Sequence, residues 1–135
     1  MIELRIPCLP DMSLASNARR SSHWSQQASS TKTEREKAAA MLLEALQRDS
    51  AILQPAHRYM ISEARWPVAV HWTLHFPKGQ RAVDCDNCVS ALKSWIDAIV
   101  MLDWLPNDSP KYIRTVAVTV YPSSPEGPLM ILTIK

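Results

Sequence analysis

The chain has 135 residues, of which 47% are hydrophobic and 21% charged, and its formal net charge is +2. That length suits one compact domain spanning residues 1–135 with a real core and is too short for two of ordinary size, and the composition excludes an intrinsically disordered chain. The balance of charge is too weakly basic either to demand or to exclude a nucleic-acid partner.

Residues Ile2 to Pro7 alternate as a strand does, with Ile2, Leu4 and Ile6 on one face and Glu3 and Arg5 on the other. Met1 to Leu9 lacks the continuous apolar stretch of a signal peptide, and no run approaches the roughly 18 apolar residues of a membrane span. The expectation is a soluble cytoplasmic protein. The three cysteines, Cys8, Cys85 and Cys88, are an odd number that suits free thiols in a reducing compartment.

From Asp11 to Ser30 apolar content and periodicity are low, which predicts a functional loop. Between Met12 and Thr33 there is no acidic residue, while Arg19, Arg20, His23 and Lys32 fall among serines and amides. This stretch reads either as a solvated basic surface or as a phosphate-contacting element. Thr31 followed by Glu34 fits a capping box, and Ala38, Met41, Leu42, Ala45 and Leu46 recur at helical spacing, which predicts a helix from about Lys32 to Arg48.

Val68, Val70, Trp72, Leu74 and Phe76 alternate with Ala69, His71, Thr73 and His75, a half-buried strand ending at Pro77 and Gly79. A second helix is predicted to start near Asp86. Val89, Leu92, Trp95, Ile96, Ile99 and Val100 gather on its apolar side and Asp86, Ser90, Lys93 and Asp97 on its polar side. Pro106 to Pro110 ends it as a turn, and Tyr112–Tyr121 and Leu129–Ile134 read as two β-branched strands. The order strand, helix, strand, helix, strand, strand implies a single small α/β domain with one mixed sheet and two main helices. Trp72, Trp95 and Trp104 belong to the core or a dimer interface.

The densest chemical signal is Val83-Asp84-Cys85-Asp86-Asn87, at a loop–helix junction. Two carboxylates two positions apart there can aim at one site for a hard divalent cation, and Asp108 lies in a loop that can return to the same end. Helix capping by the same aspartates is the competing reading. An EF-hand starting at Asp84 would need glycine and glutamate where Val89 and Trp95 stand, and a zinc site on Cys85 and Cys88 lacks two suitably spaced ligands.

The run DCDNCVSALKSWIDAIVMLDWLPNDSPKYI, Asp84 to Ile113, resembles the signature of RusA-type Holliday junction resolvases: an aspartate pair in a DxDN context, a helix, then a turn with a further aspartate. LPDMSLASNARRSSHW resembles that family's early loop, and the similarity in segment order covers nearly the whole chain. The resemblance implies a magnesium-dependent endonuclease of recombination and repair, acting as a homodimer on four-way DNA junctions. Asp84, Asp86 and Asp108 take the catalytic, Mg²⁺-binding positions. The family's lysine one turn after the second aspartate is replaced by Ser90, and Lys93, on the same polar face, is the candidate substitute. Arg19, Arg20, Lys78 and Arg81 are candidates for DNA backbone contacts, and His23 and Trp24 for stacking. Lys93 reads equally as a surface lysine paired with Asp97 four residues on. Two other functions stay open: a catalytically weak junction-binding module of the same fold, and an unrelated α/β protein whose aspartates cap a helix.

Overall fold

The computed structural model describes residues 1–15, 24–49 and 59–135. Four strands, β1 (Ile2–Ile6), β2 (Val68–His75), β3 (Ile113–Tyr121) and β4 (Leu129–Ile134), form one mixed sheet in the order β1-β4-β2-β3. β4 runs antiparallel to both β1 and β2, and β3 is parallel to β2 at the other edge. Among the described residues, three α-helices accompany the sheet: α1 (Trp24–Asp49), α2 (Cys85–Ala91) and α3 (Lys93–Met101). The α/β class with one mixed sheet is therefore as the sequence predicts.

Register explains the core. Leu4, Leu132, Trp72 and Val118 lie side by side across the strands, as do Ile6, Met130, Leu74 and Val120. Side chains alternate across a sheet, so these rows share one face, and α1 and α3 pack together on the core's helical side. Arg5, Ile131, Thr73 and Thr119 line up on the opposite face. Trp72, Trp95 and Trp104 are buried, and Trp72 and Trp95 meet edge to face with ring centroids 6.0 Å apart.

β3 and β4 are consecutive in sequence but not adjacent in the sheet, so their connection crosses the end of β2. The Ser124 N–H donates to the Phe76 carbonyl and the Phe76 N–H to the Tyr121 carbonyl, at 2.8 and 2.9 Å. Gly127 fits this crossing because a Cβ there would lie 2.6 Å from the His75 carbonyl oxygen and from the Pro77 nitrogen. At the other edge, the Arg5 N–H of β1 donates to Asp49 at the end of α1.

Three expectations change. α1 starts at Trp24, not near Lys32, so Trp24 to Ser30 is helical instead of loop. Once the Ala38, Leu42 and Ala45 stripe holds the helix on the core, extension through polar residues adds a hydrogen bond per residue without needing a periodic apolar signal. Thr31 and Glu34 consequently lie inside the helix and form no capping box. Glu34 is instead 4% exposed, and its Oε1 accepts from the Trp95 indole N–H at 2.8 Å and from the Asp11 N–H at 3.1 Å. The second predicted helix is divided at Leu92, whose backbone (φ −80°, ψ −6°) closes α2 and opens α3. Val89 leaves the apolar face as a result and is exposed, while Cys88, Ala91, Leu92, Trp95 and Ile99 are buried.

Candidate functional site

β2 and β3 are parallel neighbours, and the chain between them carries α2 and α3, so the Asp84–Asn87 run begins the helical part of a β–α–β unit. Loops leaving the carboxyl end of a strand in such units are common places for ligands. α2 packs against β3 and against the 3-10 turn Met12–Leu14. The described beginning of the acid-free segment thus lies beside the helix that carries the carboxylates. Arg19, Arg20 and His23 lie outside the described residues.

Asp84 occupies the N-cap position of α2 with φ −58° and ψ 147°, yet its side chain makes no capping hydrogen bond. Asp86 follows in the first turn, and both are exposed. Neither carboxylate has a hydrogen-bond or ion-pair partner among the described residues. Aspartate at an N-cap ordinarily satisfies one of the free amides of the first turn, so the capping explanation fails for Asp84. Asn87 is buried and, with Arg81, Ala82, Val83 and Asp84, lines a cleft of about 260 Å³. Lys78 and Arg81, in the loop that precedes Asp84 in the chain, are both exposed.

Asp108 is placed differently. It is the central residue of an Asx turn in which the Ser109 N–H donates to Asn107 Oδ1 at 2.9 Å. Its carboxylate accepts a hydrogen bond from Lys93 Nζ, and the same ammonium reaches Asp97 Oδ1 at 2.7 Å. Lys93 thus makes the i, i+4 pair read from the sequence and bridges to the turn as well. Burial pulls the Lys93 ammonium down, but the hydrogen bonds and charges of Asp108 and Asp97 outweigh it and leave the pKa raised. The Lys93 hydrogen bond holds the Asp108 carboxyl below its ordinary value of 3.8. Asp108 lines a second cleft, of about 410 Å³, with Arg35, Asp97, Val100 and Met101.

The structure therefore brings Asp84 and Asp86 to one corner and Lys93, Asp97 and Asp108 to another contact. Among the described residues, no three His, Cys, Asp or Glu side chains are grouped to hold a metal ion. The two free carboxylates do fit part of what Mg²⁺ requires, since that ion is usually held by one or two carboxylates with water and substrate oxygens completing its shell. Cys88, inside the same run, has its thiol pushed up to about 11 by burial first and then by the charges of Cys85, Asp84 and Asp86.

Sequence reasoning missed two contributors. Arg35 joins the Asp108 cleft from α1, and only tertiary packing reveals this. Glu34 stands four residues before Ala38, at the head of the apolar stripe of α1, and that position was the available sign that it faces inward. Among the described residues, no helix is long and apolar enough to cross a membrane.

Compared with known protein families and with curated proteins, the chain matches none.

Proposed function

We propose that the chain is a magnesium-dependent endonuclease that acts on branched DNA, four-way junctions in particular, as a homodimer, in keeping with its resemblance to RusA-type resolvases. The observation that carries this reading is the pair Asp84 and Asp86: two exposed carboxylates at the start of α2 that have no described partner, where Asp84 does not cap the helix. Carboxylates without a partner are open to a hard divalent cation, which takes oxygen ligands.

In this reading Asp84 and Asp86 hold Mg²⁺, while Asp108, held by Lys93 at a separate cleft, stands apart from the pair and does not act as the third ligand read from the sequence. When bound, the ion supplies an activated water and offsets charge building on the phosphoryl oxygens. Arg81, lining the Asp84 cleft, counters the repulsion between the carboxylates and the DNA backbone, and Lys78, exposed in the preceding loop, remains a backbone-contact candidate. Lys93, the first residue of α3, is separated from the helix of Asp86 by the break at Leu92, and it orients Asp108 through their hydrogen bond. Lys93 and Arg35, which lines the same cleft as Asp108, offer positive charge for a phosphate there. Arg19 and Arg20 remain backbone-contact candidates in this reading, since the acid-free segment starts beside α2.

The weak junction-binding module has one observation in its favour: Ser90 stands where the family has its lysine, and Lys93 is already shared by two carboxylates. One experiment separates the readings. A synthetic four-way junction and a linear duplex of the same sequence are incubated with the protein, with Mg²⁺ and with a chelator. The enzyme nicks the junction, only with Mg²⁺, and Asp86→Asn loses cleavage by orders of magnitude while binding the junction as tightly or more tightly, because one repelling charge is gone. Asp97→Asn, outside the carboxylate pair, has a much milder effect. Binding without Mg²⁺-dependent nicking supports the module. Equal cleavage by wild type and Asp86→Asn at saturating Mg²⁺ removes the active-site assignment.

A further inference from the structure

Interleaved with the carboxylates is a second motif, Cys85-Asp86-Asn87-Cys88, whose two thiols the nuclease reading does not use. A C-x-x-C pair beginning the helix of a β–α–β unit is the arrangement in which two thiols exchange with a disulfide. The two cysteines differ in the way such exchange needs. Cys85 is exposed and Cys88 is fully buried, and both are free thiols.

We propose that Cys85 and Cys88 form a reversible redox-active dithiol, a modification site for low-molecular-weight disulfides of the glutathione class. The inference does not depend on the nuclease reading.

Geometry supports closure of the pair. Residues three apart in a helix have Cβ atoms about 5–6 Å apart, against about 3.5–4.5 Å in a disulfide, so the turn must tighten by roughly 1–2 Å. Cys85 is the first residue of α2, and Asp84 before it is extended and makes no side-chain capping bond, so this end of the helix is held by few interactions. Side chains on a helix lean toward its N-terminus, and Cys88 Sγ does so, donating to the Val83 carbonyl at 3.4 Å. Its sulfur therefore sits where the chain enters the helix, on the side of Cys85. One weak S–H bond is given up on closure.

Burial sets the order of events. Oxidised glutathione reaches Cys85, whose thiol loses its proton and attacks one glutathione sulfur; the S–S bond breaks and one reduced glutathione leaves. Cys88 then loses its proton and attacks the Cys85 sulfur of the mixed disulfide, expelling the second glutathione. In sum, two protein thiols and one glutathione disulfide give one protein disulfide and two reduced glutathiones, with two electrons passing to glutathione.

The test is exposure of the native full chain to oxidised glutathione, followed by thiol counting and mass mapping of peptides. Wild type should lose two of its three thiols and yield a Cys85–Cys88 disulfide within one chain, while Cys8 stays reduced. Dithiothreitol should restore both thiols. Cys88→Ala should stop at a persistent glutathione adduct on Cys85, and Cys85→Ser should leave Cys88 unmodified under the same exposure. Because Cys85 is exposed, Cys85→Ser tests the order of attack even if the buried substitution perturbs folding. A stable glutathione adduct on wild-type Cys85, disulfides between chains, or three unreacted thiols would each overturn the proposal.

Discussion

Replacing Glu34 by alanine tests how the helices are locked to the segment leading toward the candidate site. Glu34 Oε1 joins α1 to α3 through the Trp95 indole N–H and to the chain after β1 through the Asp11 N–H, at 2.8 and 3.1 Å. Trp95 is 0% exposed, so losing its acceptor leaves a buried donor unsatisfied, at a cost of about 1–3 kcal/mol. The partly buried Asp11 bond adds about 0.5–1.5 kcal/mol, and removing a carboxylate from the interior returns part of the total. The expected net loss is about 2–3 kcal/mol. For a domain of this size that is a fall of roughly 10 °C in the unfolding midpoint, measured by circular dichroism and checked by urea titration. A double-mutant cycle isolates the bond. Combined with Trp95→Phe, which removes the donor as well, Glu34→Ala should cost about 1 kcal/mol less than it does alone. Stability of Glu34→Ala within about 0.5 kcal/mol of wild type, or strict additivity in the cycle, would refute the reasoning.

Gly127→Ala should destabilise by about 1–3 kcal/mol in urea titration, because its Cβ would press on the backbone of residues 75–77, which cannot swing aside as a flexible side chain does. Lys93→Ala should cost at most about 1 kcal/mol, since its partners are exposed enough for solvent to screen both pairs; an NMR titration should find the Asp108 carboxyl moving up toward 3.8. The folded Asp108 pKa lies below its unfolded value, so its contribution is present above pH 3.8 and lost as pH falls through the folded value. The stability gap between wild type and Lys93→Ala should accordingly close in strong acid, and a gap that widens there would contradict the pairing.

Local pattern carried much of this protein. Period-two alternation located β1 and β2, because one buried face imposes that period on a sheet strand, and β-branched content located β3 and β4, the latter at the same bounds. The loop–helix junction at Asp84 was legible from the helical spacing of the apolar residues after it, and Trp72, Trp95 and Trp104, read as core or dimer interface, are buried. Periodicity says nothing of which strand lies beside which, and only the tertiary structure inserts β4 between β1 and β2 and leaves β3 at the edge. Nor does it say what a polar residue on a helix meets. Glu34 reads locally as a cap, and it became a buried acceptor because α1 continues through it and brings it against Trp95, 61 residues away. Lys93 and Asp97 sit one helical turn apart, so their pairing was visible in the sequence. The contact of Lys93 with Asp108 depends on how the turn after α3 folds back, and hydrogen bonds across such a return are decided by packing that no short window of residues contains.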